Sequence, residues 1–495
     1  MKKRSLSISA VTALVVAAAL AGCGGTTYFA GRVLPPSGLT NRVLIAIQNP
    51  SSFTRGALSF VDAYYDTRSG YNGKPASFSV AGYSGALPIT IQNMPEEQLG
   101  VVYASGDGSL TTIDYAKEST SGSAGTLNGL SSSVFVTRNG GYVFAANQSS
   151  RVLTVLDRAS GGSYPLSLPG VYRVSVNSGG SAALAFVQNS NYVYYPLKLT
   201  AAQGIAFSGG SANWPKAAVD CEPQNAPGYC LFQAQSPDSL DTKTNTYYGA
   251  PLVFDRPVKA VFSADGGTAY VLNCGPECGG ANASITALPV APMIFLIGQQ
   301  SGLLPCNTTP CTNPKAVAMT TIPIPGGASN ALVDTSTIYV AGQKPQIIQG
   351  QTLFAGNLTI VDYSKTPASV SNAIPISDGA PGAVSRMLLS DDNTLWIGMT
   401  QCTNGVRAAT GQAYGCLTMF NTASNTVTIE AYVGDATGIA SVTGLHKIYT
   451  AEGGQVYIYS TKDGTSIDNQ YVTVTGTAYD VAYMDGLTDG NNTVY

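Results

Sequence analysis

Short apolar stretches of about five or six residues, each broken by Gly, Asp or Asn, recur from residue 42 to the end of the chain. They are rich in Val, Ile, Thr and Tyr, residues that pack well on a pleated surface, and this predicts strands. One phrase repeats: an apolar strand, a turn, a second strand ending near Tyr-Val, a polar turn, then a third strand closed by Asp or Asn. Residues 132–159 give SSVFVTRNGGYVFAANQSSRVLTVLDRA, and 89–116, 172–199 and 258–272 follow the same pattern. Three further copies are built around NALVDTSTIYVAG, SRMLLSDDNTLWIGM and GIASVTGLHKIYTAEGG.

The turns between these strands have a mechanism. Asp107-Gly108, Asn139-Gly140, Asp265-Gly266 and Asp463-Gly464 supply residues that tolerate the positive φ of tight hairpins. Asp62, Asp114, Asp157, Asp362 and Asn421 each close a third strand, where the side chain can bond its own following backbone. Their recurrence assigns these carboxylates to turns before catalysis.

A repeat of roughly 40 to 70 residues with four strands per unit predicts an all-β fold, a β-propeller of four-stranded antiparallel blades. Near the C-terminus TAYDVAYMD reads as a first strand without followers. RVLIAIQNP and GALSFVDAYYD, near residue 42, read as second and third strands without a first. Joining them closes the ring and removes an open sheet edge. Eight blades result by repeat count, with seven as the alternative because residues 200–257 interrupt the pattern.

The N-terminus differs. Lys2, Lys3 and Arg4 precede an apolar run, Leu6 to Ala21, too short to span a bilayer core of roughly 30 Å comfortably. That run ends in Leu20-Ala21-Gly22-Cys23, which resembles the lipobox of bacterial lipoproteins. The resemblance implies a signal peptide over 1–22, an acylated Cys23, a lipidated linker over 23–41, and a single propeller domain over 42–495. Two or more acyl chains, at about 0.8 kcal/mol per buried methylene, would hold such a protein on a membrane. Gly24, rather than Asp, after the lipidated cysteine implies outer-membrane sorting within the cell envelope.

Eight cysteines remain, an even number in a chain expected to be exported, and they fall into local pairs: Cys221 with Cys230, Cys274 with Cys278, Cys306 with Cys311, and Cys402 with Cys416. All lie in the irregular stretches 200–257, 274–328 and 401–416, where disulfides would pin long loops. A four-thiolate metal site from Cys274, Cys278, Cys306 and Cys311 is the competing reading.

The phrases GYVFAANQSSRVLTVLDRASG and STIYVAGQ with GNLTIVDYSK are similar to the YVTN propeller repeats of bacterial and archaeal surface proteins, a group that extends to lactonase-like and quinoprotein propellers. The resemblance implies a fold more firmly than an activity. The sequence contains no G-x-S-x-G elbow and one histidine, His446, which reads as a turn or strand-edge residue. Trp214 and Trp396 are the only tryptophans for a quinone platform. Calcium has oxygen donors at Asp391-Asp392-Asn393 and at Asp485, Asp489, Asn491 and Asn492, which are read first as solvated turns. Tyr194, Tyr195, Tyr247 and Tyr248 are candidate recognition tyrosines. With net charge −3 and no basic run after Arg4, nucleic acid is excluded as a partner.

The expectation is therefore a membrane-anchored, non-enzymatic binding or scaffold module for a protein or glycan partner, without a cofactor. A propeller hydrolase or lactonase with a metal in the channel is the alternative, and a quinone-dependent oxidoreductase is a third.

Overall fold

The turn residues do what their chemistry predicts. In the computed structural model, Gly108, Gly140, Gly266 and Gly464 all sit at positive φ, between 63° and 78°. Asp62 Oδ1 accepts the Tyr64 amide at 3.0 Å, and Asp114 Oδ1 accepts that of Lys117 at 3.0 Å. Asp157, Asp362 and Asn421 close their strands in the same way, onto Ala159, Ser364 and Ala423. The structure describes residues 27–28, 32–51, 53, 55–66, 78–127, 130–222, 228–235, 240–241, 246–247, 251–301, 303, 319–348, 350–377, 382–402, 415–467 and 472–487.

These turns organise eight antiparallel sheets into an eight-bladed propeller. The innermost strands, blades 1 to 8, are Thr477–Tyr483, Pro88–Met94, Ser131–Val136, Val171–Val176, Pro257–Phe262, Asn330–Asp334, Ala383–Ser390 and Ala436–Val442. Blade 1 is the composite one. Its inner strand pairs with Arg42–Gln48, with Val43 opposite Tyr483 and Ile45 opposite Val481, so chain-distant segments close the ring.

The interrupted stretches are not simple loops, as the sequence had suggested. Residues 200–257 supply blade 4 with outer strands, Tyr229–Gln233 and Asp220–Glu222, making it five-stranded. Residues 274–328 include the third and fourth strands of blade 5, Ser284–Pro289 and Thr320–Pro323. They also contain the helix Val290–Ser301, whose Met293, Leu296 and Ile297 are fully buried. That helix joins Phe254, Phe262, Leu288 and the disulfide of Cys221 and Cys230 in the core between blades 4 and 5.

The remaining cores lie between neighbouring blades, as flat sheets packed face to face require. Trp396 of blade 7 is completely buried there, with its indole N–H donated to Thr394 Oγ1 at 3.2 Å. It is a packing residue, not an exposed platform. Trp214 packs half-buried against the core of blades 4 and 5.

Candidate functional site: the central channel

Each inner strand has one edge facing the channel, where its backbone groups lack a ladder partner, and buried amides need acceptors. Side chains of the neighbouring blade supply them. Ser133 Oγ accepts the Val174 amide at 3.3 Å, and Ser175 Oγ accepts the Ala260 amide at 3.1 Å. Gln92 Oε1 accepts the Val136 amide at 2.8 Å, and Asp480 Oδ2 accepts the Ile91 amide at 2.8 Å. The channel wall is stitched from blade to blade by polar side chains.

Most inner strands also begin with a one-residue register shift against the second strand: Pro88 to Thr90, Val171 to Arg173, Pro257 to Lys259, Val384 to Arg386 and Ala436 to Gly438. A bulge re-aims the side chains beside it. One equivalent level around the ring is occupied by the residue following such a shift or, in blade 6, whose inner strand has none, by the residue at the same register, Asn330 opposite Ala341. From blade 1 to blade 8 these are Asp480, Thr90, Ser133, Arg173, Lys259, Asn330, Arg386 and Gly438, each paired with the corresponding second-strand residue.

Blades 4 to 7 thus present three cations and an amide at one level. All eight inner strands contribute to the cavity they enclose, of about 410 Å³. Lys259 Nζ donates to Asn330 Oδ1 at 2.6 Å, and Arg173 Nη1 to the Ser329 carbonyl at 3.4 Å. Arg386 pairs with Asp480 at 3.0 Å and donates through Nε to the Thr437 carbonyl. Among the described residues neither Arg173 nor Lys259 forms an ion pair. Burial, with Arg173 and Arg386 nearby, pushes the Lys259 ammonium down to about 7. Burial raises the Asp480 carboxyl, against the pull of Arg386.

The two faces differ. Inner strands start at the cationic level, and the hairpin Thr337–Ile348 with Gln351–Asp362 projects beyond that end, leaving Ile347 81% exposed near its tip. The disulfides Cys274–Cys278 and Cys402–Cys416 follow second strands on this same face. The helices Ala201–Phe207 and Val290–Ser301 follow the third strands of blades 4 and 5, at the opposite end, where Gln203 donates to the Leu303 carbonyl at 3.2 Å.

Three of the four cysteine pairs read from proximity are therefore joined, and the Cys274–Cys278 bond removes two thiols from the four-thiolate alternative. Cys306 and Cys311, like Cys23, lie outside the described residues. The calcium candidates are otherwise engaged. Asp391 Oδ2 accepts the Gly444 amide at 2.7 Å. Asp392 Oδ2 accepts the Thr461 hydroxyl at 2.6 Å and lies 2.8 Å from His446 Nδ1. His446 is a half-exposed turn residue just before the strand Lys447–Glu452.

Asp485 corrects the solvated-turn reading. It is 1% exposed and accepts from Arg42, through Nη2 at 2.7 Å and the backbone amide at 2.7 Å. Asp489, Asn491 and Asn492 lie outside the described residues. Among the tyrosines, Tyr195 is buried, with its hydroxyl donated to the Ser181 carbonyl, and Tyr194 is half-buried. No side-chain placement is described for Tyr247, and Tyr248 lies outside the described residues.

Sequence reasoning missed the cationic level. The signal was present in YRVSV, VKAVF and SRMLL, three first strands with a basic residue at an inward position. A bulge offsets the apparent alternation there, so strict period two misplaces the side chain.

No family model and no curated protein matches the chain. Solved structures that resemble it are propellers. They include dihydro-heme d1 dehydrogenase NirN in complex with DHE (10% identity, 92% of this chain and 76% of that one, TM-score 0.49). A putative 6-phosphogluconolactonase from Bacteroides uniformis is also similar (12% identity, 90% and 99% covered, TM-score 0.44). So is hydrazine synthase of Kuenenia stuttgartiensis (14% identity, 79% and 99% covered, TM-score 0.43). At these values the likeness carries no argument about activity. Among the described residues no helix is long and apolar enough to cross a membrane.

Proposed function

We propose that the chain is a cell-envelope lipoprotein, tethered to the outer membrane through Cys23, whose propeller is a non-enzymatic binding module for a protein or glycan. The observation that carries this reading is the asymmetry of the ring. One face offers a projecting hairpin, two disulfides and a polar channel mouth, while on the other two helices follow the third strands of blades 4 and 5. A rigid scaffold that displays a hairpin and disulfide-anchored residues on one side suits recognition.

The hydrolase alternative needs a metal held in the channel by carboxylates and amides. The ring level offers one carboxylate and one amide, Asp480 and Asn330, and both already accept hydrogen bonds from channel cations. Arg173, Lys259 and Arg386 around them would repel a divalent cation, so these residues do not fit one.

The test places a photoreactive residue at Ile347 on the mouth face or at Ile205, 72% exposed on the helical face, in cells carrying the intact chain. Crosslinks to an envelope protein or glycan from Ile347 and not from Ile205 are expected, and Cys23→Ser should release the chain from membranes. Equal crosslinking from both positions, or a Cys23→Ser chain that stays membrane-bound, would refute the corresponding half of the reading.

A further inference from the structure

We infer that the channel mouth is a binding site for a small dianion, bearing two carboxylates or one phosphoryl group, held between Arg173, Lys259 and Arg386. This rests on the binding-module reading and names the ligand chemistry of the same channel.

Elsewhere among the described residues, cations such as Lys447 and Arg42 sit against acids. Lys447 pairs with Asp66 and Arg42 with two carboxylates. In the channel, three cations face one paired acid, Asp480, and Arg173 also acts electrostatically on Glu277. Glu277 already accepts the Gln343 amide at 2.9 Å, and burial pushes its carboxyl up to about 7. An excess of positive charge in a partly dehydrated cavity is costly, and it is relieved by loss of the Lys259 proton or by an entering anion. With Lys259 protonated, three positive charges against Asp480 leave two, and a dianion matches them.

The neutral lining agrees. Hydroxyls of Thr90, Ser133 and Thr437 and the Asn330 amide line the same cavity, and its volume of about 410 Å³ accommodates a ligand of several heavy atoms. Arg173 has a planar fork suited to a bidentate carboxylate or phosphoryl contact. Lys259 adds a point charge that depends on pH.

Calorimetric titration of the intact chain in detergent, with succinate, inorganic phosphate and neutral erythritol as probes, tests the inference. Succinate, mostly a dianion at pH 6, should bind there and erythritol should not; phosphate, mostly a monoanion at pH 6, is compared with succinate at pH 7.5, where both are chiefly dianions and the tighter anion tells carboxylate from phosphoryl recognition. Arg173→Met should weaken binding at least tenfold, the loss of one charge-assisted contact. Succinate affinity should fall as pH rises from 6 to 8.5, because Lys259 loses its proton while Arg173 and Arg386 stay charged, Asp480 stays paired and Glu277 gains negative charge. Lys259→Arg should flatten that dependence, leaving only the Glu277 part.

Thermal unfolding of each variant confirms a folded ring. Folded wild type that binds neither anion, or binding indifferent to Arg173→Met and Lys259→Met, overturns the inference even if Ile347 still crosslinks a partner. Loss of Ile347 crosslinking with anion binding intact would instead strike the binding-module reading alone.

Discussion

Two sectors of the ring bury positive charge, and they do so by opposite means. At the closure, Arg42 is fully buried and saturated: Nη1 donates to Glu118 at 2.8 Å and to the Tyr115 carbonyl at 2.7 Å, and Asp485 takes Nε and Nη2. Ser37 reinforces Glu118, and Arg32 donates to the Pro95 and Gly486 carbonyls, so both chain ends and blade 2 meet at one guanidinium. Across the channel, Arg173 and Lys259 have no acid in ion-pair reach among the described residues. The Arg42 guanidinium is fully paired without a ligand. The channel arrangement leaves its charge uncompensated, and that difference separates a structural cluster from a site.

Breaking the closure should have the largest effect. Arg42→Met strands two buried carboxylates and should cost about 3–5 kcal/mol, read as a fall in the midpoint of chemical unfolding. Arg173→Met, by contrast, should leave that midpoint nearly unchanged. If both variants lost stability equally, the channel cations would be structural and the contrast would fail.

A third region sharpens the comparison with an acid that has no ion-pair partner among the described residues. Glu452, buried where blade 8 meets the mouth face, accepts from the Thr450 hydroxyl and is pushed up to about 7 by burial. A folded-state value raised above the unfolded one stabilises below about 4.5, and that contribution is lost as pH rises through 7. Glu452→Gln should therefore stabilise the protein at pH 8, by up to about 3 kcal/mol, and do little at pH 4. Denaturant midpoints at the two pH values check it; a gain at pH 4 as large as that at pH 8 would contradict the burial argument.

The closure could be read from sequence because both halves of blade 1 carry the period-two pattern of strands: TAYDVAYMD and RVLIAIQNP each lack what the other supplies. The turn aspartates could be read because their bonds are local. Asp485 could not, since its partner lies 443 residues away and nothing local distinguishes a buried acid from a solvated one. The helix Val290–Ser301 escaped because it interrupts a blade between its third and fourth strands, and its apolar residues bury only once blades 4 and 5 are side by side. The cationic level escaped for a similar reason: Arg173, Lys259 and Arg386 sit in separate repeats and meet only when the ring closes.

The smallest expected effect carries the most discriminating sign. Lys259 has a folded-state value depressed to about 7, below the unfolded 10.5, so its contribution is fully present above 10.5 and is lost as pH falls through 7. Lys259→Met should then stabilise the protein at pH 6 by roughly 1–2 kcal/mol, allowing for water in the channel, and give nothing above pH 10.5. Glu452→Gln shows its gain on the alkaline side, so the two variants should shift the pH–stability profile in opposite directions. A saturating dianion offers a further check, because it would supply the missing counter-charge and hold Lys259 protonated. Added succinate should then raise the unfolding midpoint of wild type at pH 6 and leave Lys259→Met less affected. An anion that stabilised both chains equally would be acting on the surface, and the channel would lose its claim to be the site.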